Sequence, residues 1–149
     1  MVNIHNCSLQ QDTVLSIGKF AILWNIFERE KCNNYCTVSK IEKLIFNTSD
    51  KWYQLAEVLK QRQEQFDLTE EQYITRKLRR QGLNPERIEK IKNFLQSNGR
   101  EDIVGGLFAI YRIRNNMFHG LKEWQMLDSQ VELFNAVNKV LESILRGNQ

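Results

Sequence analysis

Chemistry in this 149-residue chain converges on Arg114, Asn115 and His119. They lie in DIVGGLFAIYRIRNNMFHGLK, residues 102–122, which reads as one helix. Advancing about 100° per residue from Ile103 puts Ile103, Leu107, Ile110, Tyr111, Met117, Phe118 and Leu121 between about −40° and 80°, with Arg114 at about 20°, inside that apolar face. A guanidinium cannot shed its proton, so an arginine among apolar neighbours has to snorkel, find an acceptor, or line a cleft that an anion enters. His119 falls at about 160°, on the border between the apolar face and water. It stands four residues after Asn115, whose amide can hydrogen-bond and orient the imidazole. A fixed cation beside a group that titrates near neutrality suits anion recognition coupled to proton transfer. On an ideal helix the two are about 140° apart. A long Arg side chain, a helix end loosened at Gly120, or a second copy of the chain would narrow that gap.

A second cationic feature lies upstream. Residues 71–100 carry eight Lys and Arg against three Glu, a local excess of +5 within a net charge of +3. Arg76, Lys77, Arg79 and Arg80 form its densest cluster. Such a stretch can hold a polyanion through non-specific backbone contacts, with Trp52, Tyr53 or Tyr73 stacking on bases where exposed. The alternative is a solvated helix face with those rings turned inward.

Helices must position these groups, because seven Gly and one Pro are too few for a turn-rich β architecture. Asp12 or Thr13 is the expected cap of VLSIGKFAILWNIFERE, which is apolar almost all round and so expected at the centre. Thr37 and Ser39 precede a short helix, KIEKLIF, that stops at the turn-prone residues 47–50. Trp52, Leu55, Val58 and Leu59 make an i, i+3, i+4 stripe over residues 51–65, and Thr69 with Gln72 is a capping-box pair opening the RKLRR helix. Gly82 is its expected stop. Asn84-Pro85 opens PERIEKIKNFLQ, and Asn98-Gly99 closes it. Asp102 starts the motif helix, in which Gly105-Gly106 reads as a place where a neighbour packs closely. Leu127 to Leu145 is a last amphipathic helix. The fold class is all-α: a single domain over 1–149, a bundle of about five to seven helices, with a polar helical insertion around residues 50–100.

No run approaches the ~18 apolar residues of a membrane span, and the start lacks the basic-then-apolar order of a signal peptide. A cytoplasmic protein with no membrane partner is expected, and three cysteines in that setting point to reduced thiols. His5, Cys7, Cys32 and Cys36 suit zinc by type, but an intervening helix would separate the two pairs by roughly 27 Å. No metal or other cofactor is therefore expected.

Arg114-Asn115-Asn116-Met117-Phe118-His119, followed by Gly120, resembles the R-x4-6-H motif of the HEPN superfamily, small all-α domains often acting as ribonucleases. The variant that begins Arg-Asn and ends His-Gly is common among its prokaryotic members. The layout is similar too, with a long early apolar helix, the motif on a late helix and one amphipathic helix after it. Residues 50–100 have no recognised counterpart. The resemblance implies metal-independent cleavage of RNA by a homodimer whose two motifs line one shared groove. In that chemistry the 2′-hydroxyl attacks the adjacent phosphorus, leaving a 2′,3′-cyclic phosphate and a 5′-hydroxyl. His119 is then the proton-transfer group and Arg114 the phosphate clamp, with Asn115 a supporting residue behind them. A toxin or antiviral effector paired with an antitoxin or defence-system protein is the implied setting. A subset of members reads His-x-Tyr, with that Tyr modified by a nucleotidyltransferase antitoxin; here Gly120 and Leu121 follow His119. The runner-up is a catalytically silent HEPN-like module that binds a nucleotide, RNA or a partner protein.

Overall fold

The computed structural model describes residues 1–78, 84–119 and 127–147, with only the backbone for residues 77, 78 and 117–119. The structure is 72% helix, an all-α bundle with one small hairpin. In the hairpin, β1 (Val2–Ile4) pairs antiparallel with β2 (Cys7–Leu9), and Val2 lies opposite Leu9. The helices are α1 (Gln11–Lys31), α2 (Val38–Ile41), α3 (Asp50–Gln65), α4 (Glu70–Tyr73) running into a π-helical turn (Ile74–Leu78), α5 (Pro85–Gln96), α6 (Ile103–His119) and α7 (Val131–Leu145).

Helix α1 begins ahead of either expected cap. Its N-cap is Gln10, which makes no side-chain cap bond. The Asp128 carboxylate meets the helix start from across the chain, accepting from the Gln10 amide at 3.0 Å and from the Thr13 hydroxyl. An acceptor near the helix's positive end serves regardless of where it comes from in sequence. One face of α1, with Phe20, Trp24 and Phe27, packs on α7. The Asn138 amide on α7 donates to the Ser16 carbonyl at 3.0 Å, and the Ser16 hydroxyl donates to the Asn135 side chain at 2.8 Å. Leu15, Ile22 and Ile26 on the other face are exposed. The helix is therefore not encased, although it is apolar almost all round.

Helix α2 is shorter than KIEKLIF suggests. The Thr37 hydroxyl accepts from the Lys40 amide as an N-cap should, but the helix ends at Ile41, and Ile45 is 90% exposed. Leu44 and Phe46 pack against the core without being helical, while Ile45 between them points outward. Between α1 and α2 the reduced thiols expected at two positions are instead a disulfide, Cys32–Cys36, with Cα atoms 5.0 Å apart. Left-handed backbone at Asn33 (φ 53°) and Asn34 (φ 94°) folds the chain back so that the two sulfurs meet. Cys7 remains a thiol.

The helices of residues 50–100 are polar outside but are no arm. Trp52, Leu55, Ala56 and Leu59 of α3 and Ile91, Phe94 and Leu95 of α5 are buried in the same cluster as α1, α6 and α7. Polar composition here reflects an outer face; the inner stripes belong to the core. The capping signals operate as read. Thr69 and Gln72 form a reciprocal capping box. Asn84 accepts from the Arg87 amide at 2.9 Å with Pro85 at the first turn. Gly99, at φ 82°, donates to the Phe94 carbonyl at 2.9 Å to close α5. Gly82 lies outside the described residues.

Candidate functional site

Helix α6 carries the motif, and its glycines fix where it lies. A Cβ on Gly105 would stand 2.1 Å from the Lys90 carbonyl oxygen, and one on Gly106 would stand 2.8 Å from the rings of Phe94 and Trp52. Helix α6 thus sits directly on the backbone of α5, as the Gly-Gly pair predicts. Every residue from Gly105 to Tyr111 is buried. Beyond that girdle the surroundings open: Ile113 is buried, Arg112, Arg114 and Asn115 are half-buried, and Asn116 is exposed. Arg114 therefore stands where α6 leaves the core. That position, which an ideal helical wheel cannot give, lets a cation sit on an apolar helix.

The Arg114 guanidinium donates from Nη1 to the Asn115 Oδ1 at 3.0 Å. The Asn115 carbonyl oxygen is thus engaged with the arginine, while the contact of its amide with His119 that the spacing suggests lies outside the described residues. That oxygen orients the fork, which has five N–H donors in a plane. His119 is the last residue of α6, and its side chain lies outside the described residues. Tyr111, one turn before Arg114, is buried; its hydroxyl donates to the Cys36 carbonyl at 3.2 Å, and its ring lies 5.9 Å from that of Trp24. Nothing in the spacing of residues 36 and 111 announces that contact.

Of the basic cluster, Arg76 is exposed on the π-helical turn, while the side chain of Lys77 and all of Arg79 and Arg80 lie outside the described residues. The turn itself packs against α6 and α5, with Ile74 buried, so the start of the basic segment is seated on the helix that bears Arg114. Two of the three rings considered for base stacking are not available. Trp52 is fully buried edge-on to Phe94, and Tyr73 is buried against Phe66. Their apolar area is worth more in the core than on the surface. Tyr53 is half-buried, with the Arg100 guanidinium 4.1 Å above its ring.

Burial pushes the Tyr73 phenol up to about 12, against a smaller opposing pull from Arg62. On the α5 side, Arg87 grips Glu42 with two hydrogen bonds of 2.8 Å, which hold that carboxyl below its ordinary range. Among the described residues no three His, Cys, Asp or Glu side chains stand where they could hold a metal ion. A shallow depression at the α3–α7 seam, lined by Val58, Arg62, Ser129 and Glu132 among others, includes no residue of α6. Among the described residues no helix is long and apolar enough to cross a membrane.

Sequence reasoning missed Asp128, which ties down the start of α1, and Tyr111 with the Cys32–Cys36 pair, which join the turn after the other end of α1 to α6. Only the four-residue spacing of the cysteines gave any signal. No protein-family model, curated protein or solved structure matches the chain.

Proposed function

We propose that this protein is a HEPN-type endoribonuclease, acting in the cytoplasm as a homodimer in which Arg114 and His119 of two chains face one RNA-binding groove. The observation that carries this reading is the Arg114–Asn115 pair, half-buried where α6 emerges from the core and followed at the helix end by His119. A guanidinium oriented by a neighbouring amide, at the margin of a low-dielectric core, interacts with a phosphate more strongly than one free in water. Seating of the basic turn on α6 supports the choice of a polyanionic substrate.

In the proposed reaction His119 transfers the 2′-hydroxyl proton or protonates the leaving 5′-oxygen. Arg114 takes two phosphate oxygens in its fork as charge builds on them. Asn115 keeps the fork in place. An antitoxin or a defence-system protein is the proposed partner, in keeping with a role as a toxin or antiviral effector.

Incubation of single-stranded RNA with the protein in EDTA tests the reading. Wild type should yield 2′,3′-cyclic phosphate and 5′-hydroxyl ends and leave a fully 2′-deoxy substrate intact. Loss of one general acid–base group, as in His119→Ala, should slow cleavage by about 10²- to 10⁴-fold, and Arg114→Ala by about 10²- to 10³-fold. RNA binding without cleavage by wild type would favour the silent module instead.

A further inference from the structure

We propose that the Cys32–Cys36 disulfide is a redox-controlled clasp on α6. Closed, it fixes the turn that presents the Cys36 carbonyl to Tyr111; opened by a dithiol, it loosens the part of α6 that carries Arg112, Arg114 and Asn115.

The turn is built to hold one shape. Asn33 and Asn34 are consecutive residues with positive φ, the left-handed backbone that asparagine tolerates and that reverses the chain here. Glu28 draws the turn in from α1: its carbonyl accepts from the Cys32 and Asn34 amides, and its carboxylate accepts from the Cys36 amide at 2.8 Å. From α2 the Lys40 ammonium donates to the carbonyls of Cys32 at 2.9 Å and Tyr35 at 3.2 Å. Polar tethers and the S–S bond thus constrain the same five residues, and the covalent one can be switched.

The output of the turn is α6. The Tyr111–Cys36 hydrogen bond is buried and spans 75 positions of sequence, and Arg114 lies one helical turn beyond Tyr111. Loss of a buried hydrogen bond costs free energy, so displacement of the Cys36 carbonyl bears directly on α6. Both cysteines are buried, while Tyr35 between them is 61% exposed, so the bend of the turn lies at the molecular surface. In the thiol-rich compartment of the proposed function, disulfides that do form are characteristically transient and redox-sensing. The inference rests on that reading for its setting and for its effect on cleavage, though not for the contact itself.

Electrons balance in the ordinary exchange. A thiolate of the dithiol attacks one cysteine sulfur and the S–S bond breaks. The other cysteine leaves as a thiolate and takes a proton, and the reductant's second thiol then displaces the first sulfur. Two electrons and two protons reach the cysteine pair, and the reductant departs as its own disulfide. A disulfide oxidant reverses the sequence.

The test uses the full chain, oxidised with oxidised glutathione or reduced with dithiothreitol. Thiols are counted by alkylation and mass, and amide hydrogen exchange is followed over residues 111–116. The oxidised form should show one alkylatable thiol, Cys7, and the reduced form three. Reduction should speed exchange at residues 111–116 by about tenfold or more while α7 is unaffected, and lower the thermal midpoint by about 3 °C or more. The Cys32→Ser/Cys36→Ser variant should behave as the reduced form and ignore dithiothreitol. Tyr111→Phe should loosen the same amides in oxidised protein without altering the thiol count. Three thiols after oxidation, a bond that dithiothreitol cannot open in the folded protein, or full reduction with unchanged α6 exchange would each overturn the clasp. Equal RNA cleavage by both forms, with exchange altered, overturns its control of the site. Altered exchange with no cleavage by either form leaves the clasp standing and removes the nuclease reading.

Discussion

Tyr73 couples stability to alkaline pH through a single buried hydroxyl. Its phenol titrates at about 12 in the folded chain, because burial disfavours the phenolate, and near 10 when unfolded. The stability it protects is complete below pH 10 and is lost as pH rises from there through about 12, since the unfolded chain releases its proton first. A shift of this size corresponds to about 2 to 3 kcal/mol. Urea midpoints measured between pH 8 and 11.5 should therefore fall above pH 10, and Tyr73→Phe should flatten that decline. Glu42 has the opposite sign. Its carboxyl is lowered by Arg87, so the stability of that pair is present at neutral pH and is lost on acidification through the depressed value. At Arg114, replacement by Lys tests geometry against charge. An ammonium keeps the positive charge and loses the planar fork, so Arg114→Lys should keep RNA binding within a few-fold and lose cleavage by about tenfold or more.

Two helical glycines predict opposite outcomes for the same substitution at the scale of an element. At Gly105 the obstacle to a methyl group is the Lys90 carbonyl, a piece of backbone at 2.1 Å that cannot rotate away. Gly105→Ala should cost about 2 to 3 kcal/mol or abolish folding by forcing α5 and α6 apart. Among the described residues, nothing beyond the adjoining turn of α1 lies within 4 Å of where a Cβ on Gly18 would stand. Gly18→Ala should stabilise by about 0.5 to 1 kcal/mol, because alanine loses less backbone freedom in a helix. Opposite shifts of the thermal midpoint would check both. The ends of helices were the most legible elements, because a capping box or an Asn-Pro start is satisfied within four residues. Thr69, Asn84 and Gly99 cap as their types indicate. Helix α1 was misread at its start because its acceptor, Asp128, is 115 positions away from Thr13.

For the whole molecule, the proposed shared groove requires two chains. Light scattering at micromolar concentration should give twice the 17.7 kDa chain mass. A monomer that still cleaves RNA would retain the site and remove the shared groove. The disulfide also acts at this scale. By loop-closure entropy a five-residue ring contributes about 2 kcal/mol. Here it also sets where a carbonyl meets α6.

Sequence alone determined what depends on near neighbours: the all-α class, the caps at Thr37, Thr69, Asn84 and Gly99, the close-packing role of Gly105-Gly106, and the Arg114, Asn115, His119 spacing. Helical periodicity and capping are satisfied within one or two turns of chain, so residue type and spacing suffice to read them. Tertiary structure decided everything that depends on which surfaces meet. It turned Trp52 and Tyr73 inward, packed the inner faces of α3 and α5 into the core, left one face of α1 uncovered and joined Cys32 to Cys36. It also placed Arg114 where α6 emerges from its girdle. Burial is a property of packing partners brought together by folding, and a periodic pattern records only that a face is apolar, not what comes to cover it.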